Sequence, residues 1–417
     1  MTSIRKASRQ DKNKAIAELI EKNEAVWVGI DVHKRSWNVA IYSADQNRIV
    51  KEWHMDANLE GLLKSLDPIR PNIRRIGYEA GPTGFGLARF LQANELPVIV
   101  VSPADIPMPR SKRAKSDRLD AADLAIKLID PSLRPVYIPT IEEEDARSTF
   151  RNRDQLTDKI RAVKAQIKSF LLCWGQPEPK GLDKWSRASI KALSQCPLPE
   201  NAKTQLDTYL LELEHLEKLQ KQATERLKKC TRERFGETYE NLQSVPGVGP
   251  VTAAGFLLEL PQLPHIQNRR QLAQLIGLSP LRRGSGETDR ECGRYPGGKK
   301  HLRHLLIEAA WVWVRRDPQA RVTYERIRAG KDNRKKKAIV AMARRLAIIL
   351  WHIYREDRPY RPMTQTSDTQ SPDTHKRPDS QALDTPTLDA QTLDPHTPDT
   401  QNPHTQTAVA QVLDAQA

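Results

Sequence analysis

The chain has 417 residues, and its 67 Lys and Arg residues outnumber its 52 Asp and Glu residues, which gives a formal net charge of +15. Residues 361–417 hold three Lys or Arg and eight Asp, a net of −5, so residues 1–360 carry +20. This balance predicts a polyanionic partner such as nucleic acid, with a solvated basic surface as the alternative. No apolar run reaches roughly 18 residues, so neither a signal peptide, a membrane-spanning helix nor a membrane partner is expected.

The four cysteines predict reduced thiols in a cytoplasmic protein. They are widely separated and form no C-x-x-C pair, a usage typical of a reducing compartment. They lie at Cys173, Cys196, Cys230 and Cys292.

Residues 25–141 predict a mixed sheet covered by helices. After a charged helix in residues 1–24, VWVGIDVHKRSWNVAIYS and RIVKEWHMD give three β-branched and aromatic runs, which are typical of an extended hairpin. A helix from Asn58 to Leu66, a strand ending in Glu79, a second helix, the strand LPVIVVSP and an Asp-rich helix follow. The order βββαβαβα predicts an α+β domain with a mixed sheet.

Residues 142–240 predict a helical hairpin. Apolar residues recur there at spacings of three and four in two long segments, which a Pro-rich stretch separates. The pair is interpreted either as a coiled-coil arm that joins subunits or as amphipathic helices packed on the body of the protein.

Residues 241–358 predict a second, mainly helical domain. Its SVPGVGP turn is similar to that of a helix-hairpin-helix motif, in which backbone N–H groups at Gly247 and Gly249 would face a DNA phosphate. A tight turn between packed helices is the alternative. Residues 359–417 are rich in Thr, Asp, Pro and Gln without an apolar face, so disorder is predicted there.

Four carboxylates predict a metal site. Asp31 and Glu79 end two strands, and Asp117 and Asp120 lie three apart on one helix, so the topology can bring them together. Such like charges are costly unless divalent cations neutralise them, and Mg²⁺ prefers carboxylate oxygens. Each acid alone could equally be a turn or cap residue. Asp123 extends the helical series, which leaves Asp120 with Asp123 as an alternative pair.

A Gly-Ser-Gly segment in the second domain offers a candidate nucleophile. The hydroxyl of Ser285 could reach a phosphate from a flexible loop, and nearby guanidinium groups could stabilise the charge that develops there. A plain linker is the alternative, and Ser279 is a second hydroxyl nearby. The cations expected to contact nucleic acid are Arg282, Arg283, Arg290, Arg294, Lys299, Lys300 and Arg303.

These motifs resemble the DEDD transposases of bacterial insertion sequences, which are relatives of the Piv-type DNA invertases. The resemblance is carried by GIDVHK, GYEA, K-x-D-x-x-D-A, GLSP, SGE and GGKKHLR, in that order. It implies an RNase H-like, RuvC-type fold for the first domain. It also implies that Asp31, Glu79, Asp117 and Asp120 bind Mg²⁺ or Mn²⁺, and that Ser285 attacks DNA.

The resemblance further implies strand cleavage and exchange between donor and target DNA by a nucleoid-associated homo-oligomer, either a dimer or a tetramer. The serine of one subunit would work with the acidic domain of another. A structured noncoding bridge RNA from the same element would guide the choice of sequence.

Two rival functions remain open on the sequence. The first is a RuvC-like metal-dependent nuclease or junction resolvase without serine chemistry, and the second is a nucleic-acid-binding scaffold with an inactive site. Sugar kinases and actin-like ATPases also begin with a strand, GID and a hairpin. Their phosphate-binding turn needs glycine, which the turn VHKRS lacks, so this sequence disfavours them.

Overall fold

The computed structural model describes residues 16–103, 117–285, 288–294 and 297–362, with side chains throughout except at 117–119 and 281–294. The predicted N-terminal helix lies outside the described residues up to position 15. The predicted disordered tail lies outside them from position 363 onward.

The N-terminal domain is built on a five-stranded mixed sheet, which confirms the predicted α+β class. The strand order is β3-β2-β1-β4-β5; β2 is antiparallel to both β1 and β3, and β4 is parallel to both β1 and β5. Near-continuous runs of buried residues in β1 and β2 place side chains on both faces of the sheet, so each face supports a helical layer. The strands are β1 (Val26–Val32), β2 (Ser36–Ser43), β3 (Arg48–Asp56), β4 (Ile73–Glu79) and β5 (Val98–Val101).

Helices cover both faces of this sheet. Three helices share one apolar core with β1, β2, β4 and β5, whereas a fourth packs on the opposite face. Asn58 starts one of them as an N-cap, because its side chain accepts a hydrogen bond from the Gly61 backbone N–H. The three are α1 (described over residues 16–21), α2 (Leu59–Leu66) and α3 (Gly86–Ala93), and the fourth is α4 (Asp117–Lys127).

The predicted helical hairpin is present. Helices α5 (Ile141–Cys173) and α7 (Glu200–Gln243) pack along each other, with the short α6 (Arg187–Ser194) between them in sequence. Thr140 and Glu143 form a reciprocal capping box that fixes the start of α5. The predicted domain boundary at 240 falls inside α7, which bends at Gly236 (φ 48°) and continues to Gln243.

The C-terminal domain has its own helical core. Its elements are α8 (Pro250–Glu259), α9 (Arg269–Ile276), β6 (Pro280–Ser285), β7 (Thr288–Arg294), α10 (Lys300–Arg316), α11 (Pro318–Arg328) and α12 (Lys335–Glu356). Apolar residues of α8, α10 and α12 form its centre. Single-turn 3-10 helices occur at Leu263–His265 and Asp332–Arg334, and a longer one at Asp67–Asn72 in the first domain.

One local prediction was wrong. The segment around Ser285 was expected to be a flexible loop, but β6 and β7 pair as an antiparallel hairpin, with Ser285 opposite Thr288. Only two residues separate the strands, a length that is typical of tight hairpins and that offsets the weak strand propensity of this charged sequence. No helix in the described part of the chain has the length and apolar character needed to cross a membrane.

Candidate active site

Two predicted acids lie side by side at one end of the sheet. Strands β1 and β4 are parallel neighbours, and their last paired residues are Ile30 and Tyr78. Asp31 and Glu79 each follow directly, so the register sets them next to each other. Both side chains are reachable from solvent, since that of Asp31 is 20% exposed and Glu79 is an exposed residue.

Helix α4 lies directly on the strands that carry these acids. Gly29 and Gly77 are paired across β1 and β4. A Cβ atom on Gly29 would overlap the carbonyl oxygen of Ala121 and lie 2.6 Å from the Ala125 nitrogen. One on Gly77 would overlap the Leu128 side chain. Gly29 therefore lets the α4 backbone approach the sheet closely, and Gly77 leaves room for Leu128, the residue that follows α4.

The positions of the two glycines also indicate on which face of the sheet Asp31 and Glu79 lie. Side chains at positions i and i+2 of a strand share one face of the sheet. Asp31 is two residues after Gly29, and Glu79 is two residues after Gly77, so both carboxylates are on the α4 face. Each acid lies two residues, or about 7 Å, further along its strand than the glycine, at about 3.3 Å per residue.

The start of α4 provides the two remaining acids. Asp117 is the first residue of the helix, one turn before Ala121, the residue whose carbonyl oxygen lies against Gly29. Asp120 is half-buried one residue before Ala121, whereas Asp123 is exposed. The Asp117 side chain lies outside the described residues.

The three described carboxylates of Asp31, Glu79 and Asp120 border one end of the sheet without forming a tight cluster. Across the described side chains, the set of three ligand atoms within 4.8 Å of one another comes instead from Asp154, Asp158 and His301. In that set, His301 Nδ1 pairs with Asp154, and burial raises the pKa of the Asp154 carboxyl. The set lines a cavity of about 350 Å³ between α5 and the start of α10.

Sequence reasoning missed a row of polar side chains beside Asp31. His33 Nε2 lies 3.0 Å from Asp31 Oδ2. Asn38 is the cross-strand partner of Asp31, and His54 Nδ1 lies 3.0 Å from Asn38 Oδ1 on the next strand. The signal available in the sequence is Asn38 itself, a polar residue in the otherwise apolar run WNVAI.

The β6–β7 hairpin carries the candidate serine and four of the predicted cations. Ser285 is the last residue of β6, and Arg283 pairs with Arg290 across the hairpin. Arg282 is opposite Glu291, and Pro280 is opposite Arg294. The side chains of the hairpin beyond Pro280 lie outside the described residues, so these positions are known from the backbone alone.

The two turn glycines have different surroundings. Gly247 has a φ of +95°, and a Cβ there would lie 2.5 Å from the carbonyl oxygen of Ala309 in α10. A side chain at position 247 would therefore prevent the close packing of this turn against α10. Gly249 precedes α8 and has no heavy atom within 4 Å of the position that a Cβ would take. Of these two glycines, Gly249 is therefore the one with open space beside its Cα atom.

Of the predicted cations at the start of α10, Arg303 and Lys299 have protein partners. Arg303 is buried, and its Nη1 donates to the carbonyl oxygens of Ile276 (3.1 Å) and Gly297 (3.0 Å). Lys299 lies 3.5 Å from the buried carboxylate of Glu259, and burial lowers the pKa of its ammonium. These contacts favour structural roles in place of the predicted DNA contacts. Lys300 is exposed.

Two families of transposases match the sequence of this chain. Residues 28–173, which contain all four acids, match the DEDD transposase family of the IS110 type. Residues 239–325, which contain Ser285, match the Transposase IS116/IS110/IS902 family. The putative transposase y4rJ of Sinorhizobium fredii is 31% identical over 362 residues, covering 78% of this chain and 91% of that protein.

The chain belongs to the IS116/IS110/IS902 family of transposases. Other relatives include the transposase for insertion sequence element IS1533 of Leptospira borgpetersenii, 26% identical over 81% of this chain and 97% of that protein. The transposase for IS1111A of Coxiella burnetii is 28% identical over 64% of this chain and 73% of that protein. As a family member the chain is an enzyme that cleaves and rejoins DNA, and its DEDD domain implies the use of a divalent metal.

Proposed function

We propose that this transposase cleaves DNA with a divalent cation, Mg²⁺ or Mn²⁺, held by Asp31, Glu79, Asp117 and Asp120, and with Ser285 as the nucleophile. The observation that carries the metal assignment is the parallel register of β1 and β4. It sets Asp31 beside Glu79, on the face where α4 begins.

The residues present fit a hard divalent cation. Carboxylate oxygens are its preferred ligands, and the carboxylates of Asp31 and Glu79 can be reached from solvent at the end of the sheet. When bound, the cation would neutralise charge that builds up on the phosphate during cleavage. Of the four acids, Asp31 has His33 at 3.0 Å, a contact that can fix the orientation of its carboxylate.

The serine step transfers the phosphate from DNA to protein. The Ser285 oxygen forms a bond to phosphorus while the bond from phosphorus to the 3′-oxygen breaks. The serine proton passes through solvent to the 3′-oxygen, which leaves as a hydroxyl. Attack on the phosphoserine by the 3′-hydroxyl of another DNA strand reverses these bond changes and completes strand exchange. The position of Ser285 beside the end of a short hairpin supports this role, because a hairpin end can project into a bound duplex.

The proposal includes a homo-oligomer and a structured guide RNA. A dimer or tetramer would supply the serine of one subunit to the acids of another and would hold the donor and target DNA together. The net charge of +20 in residues 1–360 suits a complex that neutralises the phosphates of two nucleic acids. Mass measurement by light scattering, with and without RNA transcribed from the flanks of the element, tests both parts.

The chemical part is tested on end-labelled DNA that spans the junction of the element. The full chain is incubated with Mg²⁺ and the flank RNA, and products are separated on a denaturing gel. Wild type is compared with Ser285→Ala, Asp31→Ala and the control Ser279→Ala. We expect a protein-linked DNA band in wild type and in Ser279→Ala, and its loss in the other two.

Two outcomes would overturn parts of the proposal. Free cleavage products that persist in Ser285→Ala and vanish in Asp31→Ala would indicate a RuvC-like nuclease without serine chemistry. Cleavage that is unchanged in Asp31→Ala would remove the metal assignment.

A further inference from the structure

The connection between α11 and α12 concentrates positive charge. Residues 326–337 hold seven Lys or Arg residues and one Asp, a net of +6. An even spread of the +20 of residues 1–360 would give less than +1 to a segment of this length. Residues 329–337 are all exposed, so this charge faces solvent. We call residues 326–337 the basic turn.

Ion pairs hold the shape of the basic turn and occupy its one acid. The carboxylate of Asp332 accepts a hydrogen bond from Arg328 of α11 at 2.8 Å and lies 3.2 Å from the ammonium nitrogen of Lys335 in α12. It therefore bridges the two helices. Arg328 also lies 3.2 Å from Glu325, which ties the same guanidinium to α11. The turn is thus shaped by its own contacts before any ligand binds.

Three cations of the basic turn remain available to a ligand. Within the part of the chain that the structure describes, no carboxylate oxygen lies within 4.0 Å of the side-chain nitrogens of Lys331, Arg334 or Lys336. The backbone N–H of Arg334 donates to the carbonyl oxygen of Lys331 (3.1 Å). Residues that close such a turn have Cα atoms within about 7 Å of each other. Lys336 follows two residues later, so the three cations share one exposed corner of the domain.

The charge at the start of α12 is unfavourable for the helix itself. Arg334 is the N-cap residue and makes no side-chain capping hydrogen bond, and the first turn contains no acidic residue. The N-terminus of a helix carries a partial positive charge, which the cations of Arg334, Lys335 and Lys336 oppose. A phosphate bound there would relieve this repulsion and would accept charge-assisted hydrogen bonds from the side chains.

We propose that the basic turn binds the phosphate backbone of double-stranded DNA through Lys331, Arg334 and Lys336. Duplex DNA is the assigned ligand because transposases of this family cleave and rejoin DNA. Contacts with phosphates set the position of the duplex and carry no direct sequence information. The assignment rests on family membership and on the basic turn, and it needs neither the metal site nor Ser285.

The test measures how salt weakens DNA binding by the full chain. Fluorescence anisotropy of a labelled duplex is followed in EDTA over a series of KCl concentrations. Each lost phosphate contact reduces the slope of the log association constant against log salt concentration by about 0.9. We expect a reduction of about 2.7 for Lys331→Gln/Arg334→Gln/Lys336→Gln and of about 0.9 for Arg334→Gln alone.

The matched control removes the same three charges from another exposed region, between α5 and α7. It is the variant Lys180→Gln/Lys184→Gln/Arg187→Gln, which also loses two Lys and one Arg. The control should keep the wild-type slope, because it changes the net charge without removing a phosphate contact. A wild-type slope in the variant of the basic turn, or an equal reduction in the control, would overturn the proposal.

The same titration with an RNA duplex of matched sequence separates the two nucleic acids. A reduced slope that is seen with RNA alone would overturn the assignment of DNA. Since EDTA removes any divalent metal and the assay follows binding, failure of the proposed cleavage chemistry would not affect this result.

Discussion

Replacing Gly29 by alanine tests whether α4 is held directly against the acid-bearing strands. The new Cβ would overlap the Ala121 carbonyl oxygen and lie 2.6 Å from the Ala125 nitrogen. Both atoms belong to the helix backbone, so no side-chain rotation relieves the clash. Overpacking of this kind costs about 1–3 kcal/mol, and backbone contacts favour the upper end of that range. The lower entropy of the unfolded alanine chain offsets about 0.4–1 kcal/mol, which leaves a loss of about 2 kcal/mol.

Gly86→Ala is the matched control, because Gly86 has no heavy atom within 4 Å of its Cβ position. It should stabilise the protein by about 0.4–1 kcal/mol through the unfolded state alone. The free energy of unfolding is measured by urea denaturation, and cleavage of junction DNA is followed in parallel. Gly29→Ala should also cleave more slowly at temperatures where it remains folded, because Asp120 moves away from Asp31. Equal unfolding free energies for the two variants would refute the packing argument.

Three further predictions follow from individual contacts. Arg303→Met should lower the unfolding free energy by about 1–3 kcal/mol, because the carbonyl oxygens of Ile276 and Gly297 lose their hydrogen-bond donor. The slope of the log association constant for DNA against log salt concentration should stay at the wild-type value. A smaller slope would indicate that Arg303 contacts DNA. Gly277→Ala should destabilise the turn before β6, since Gly277 has a φ of +80° and its Cβ would overlap the Gly297 carbonyl oxygen; thermal unfolding compared with Gly249→Ala, which has open space, checks this, and equal melting temperatures would contradict it. Burial, with the hydrogen bond to Asp317, raises the pKa of Tyr360 to about 12. The free energy of unfolding should therefore fall as the pH rises from 10, the pKa of the unfolded tyrosine, towards 12. Tyr360→Phe should lessen that fall in urea titrations, and an identical pH profile in the two proteins would disprove the linkage.

The sequence was sufficient to predict the N-terminal sheet. The near-continuous apolar runs in VWVGIDV and SWNVAIYS indicate strands with two covered faces, and the βββαβαβα order indicates a mixed sheet. The neighbouring positions of Asp31 and Glu79 follow from that topology. The packing of α4 on these strands does not follow from it, because the approach of α4 to Gly29 depends on atoms that are 92 residues apart in the chain.

The C-terminal domain was less predictable because tertiary contacts override its local signals. The charged sequence of β6 and β7 has weak strand propensity, yet the residues pair across a short connection. Arg303 and Lys299 are basic in a basic segment, and only the fold reveals that carbonyl oxygens and Glu259 surround them. The sequence likewise does not show that Gly247 is needed for packing, since its neighbour Ala309 lies in a helix that is distant in the chain.

The central claim is that the metal is held at the ends of β1 and β4, and direct measurement of Mn²⁺ binding tests it. Electron paramagnetic resonance or calorimetry of the full chain is compared for wild type, Asp31→Asn, Glu79→Gln and Asp154→Asn. The last variant alters the other set of close ligand atoms, formed by Asp154, Asp158 and His301. We predict that Asp31→Asn and Glu79→Gln lose Mn²⁺ while Asp154→Asn retains it. Loss of Mn²⁺ in Asp154→Asn with retention in Asp31→Asn would contradict the account.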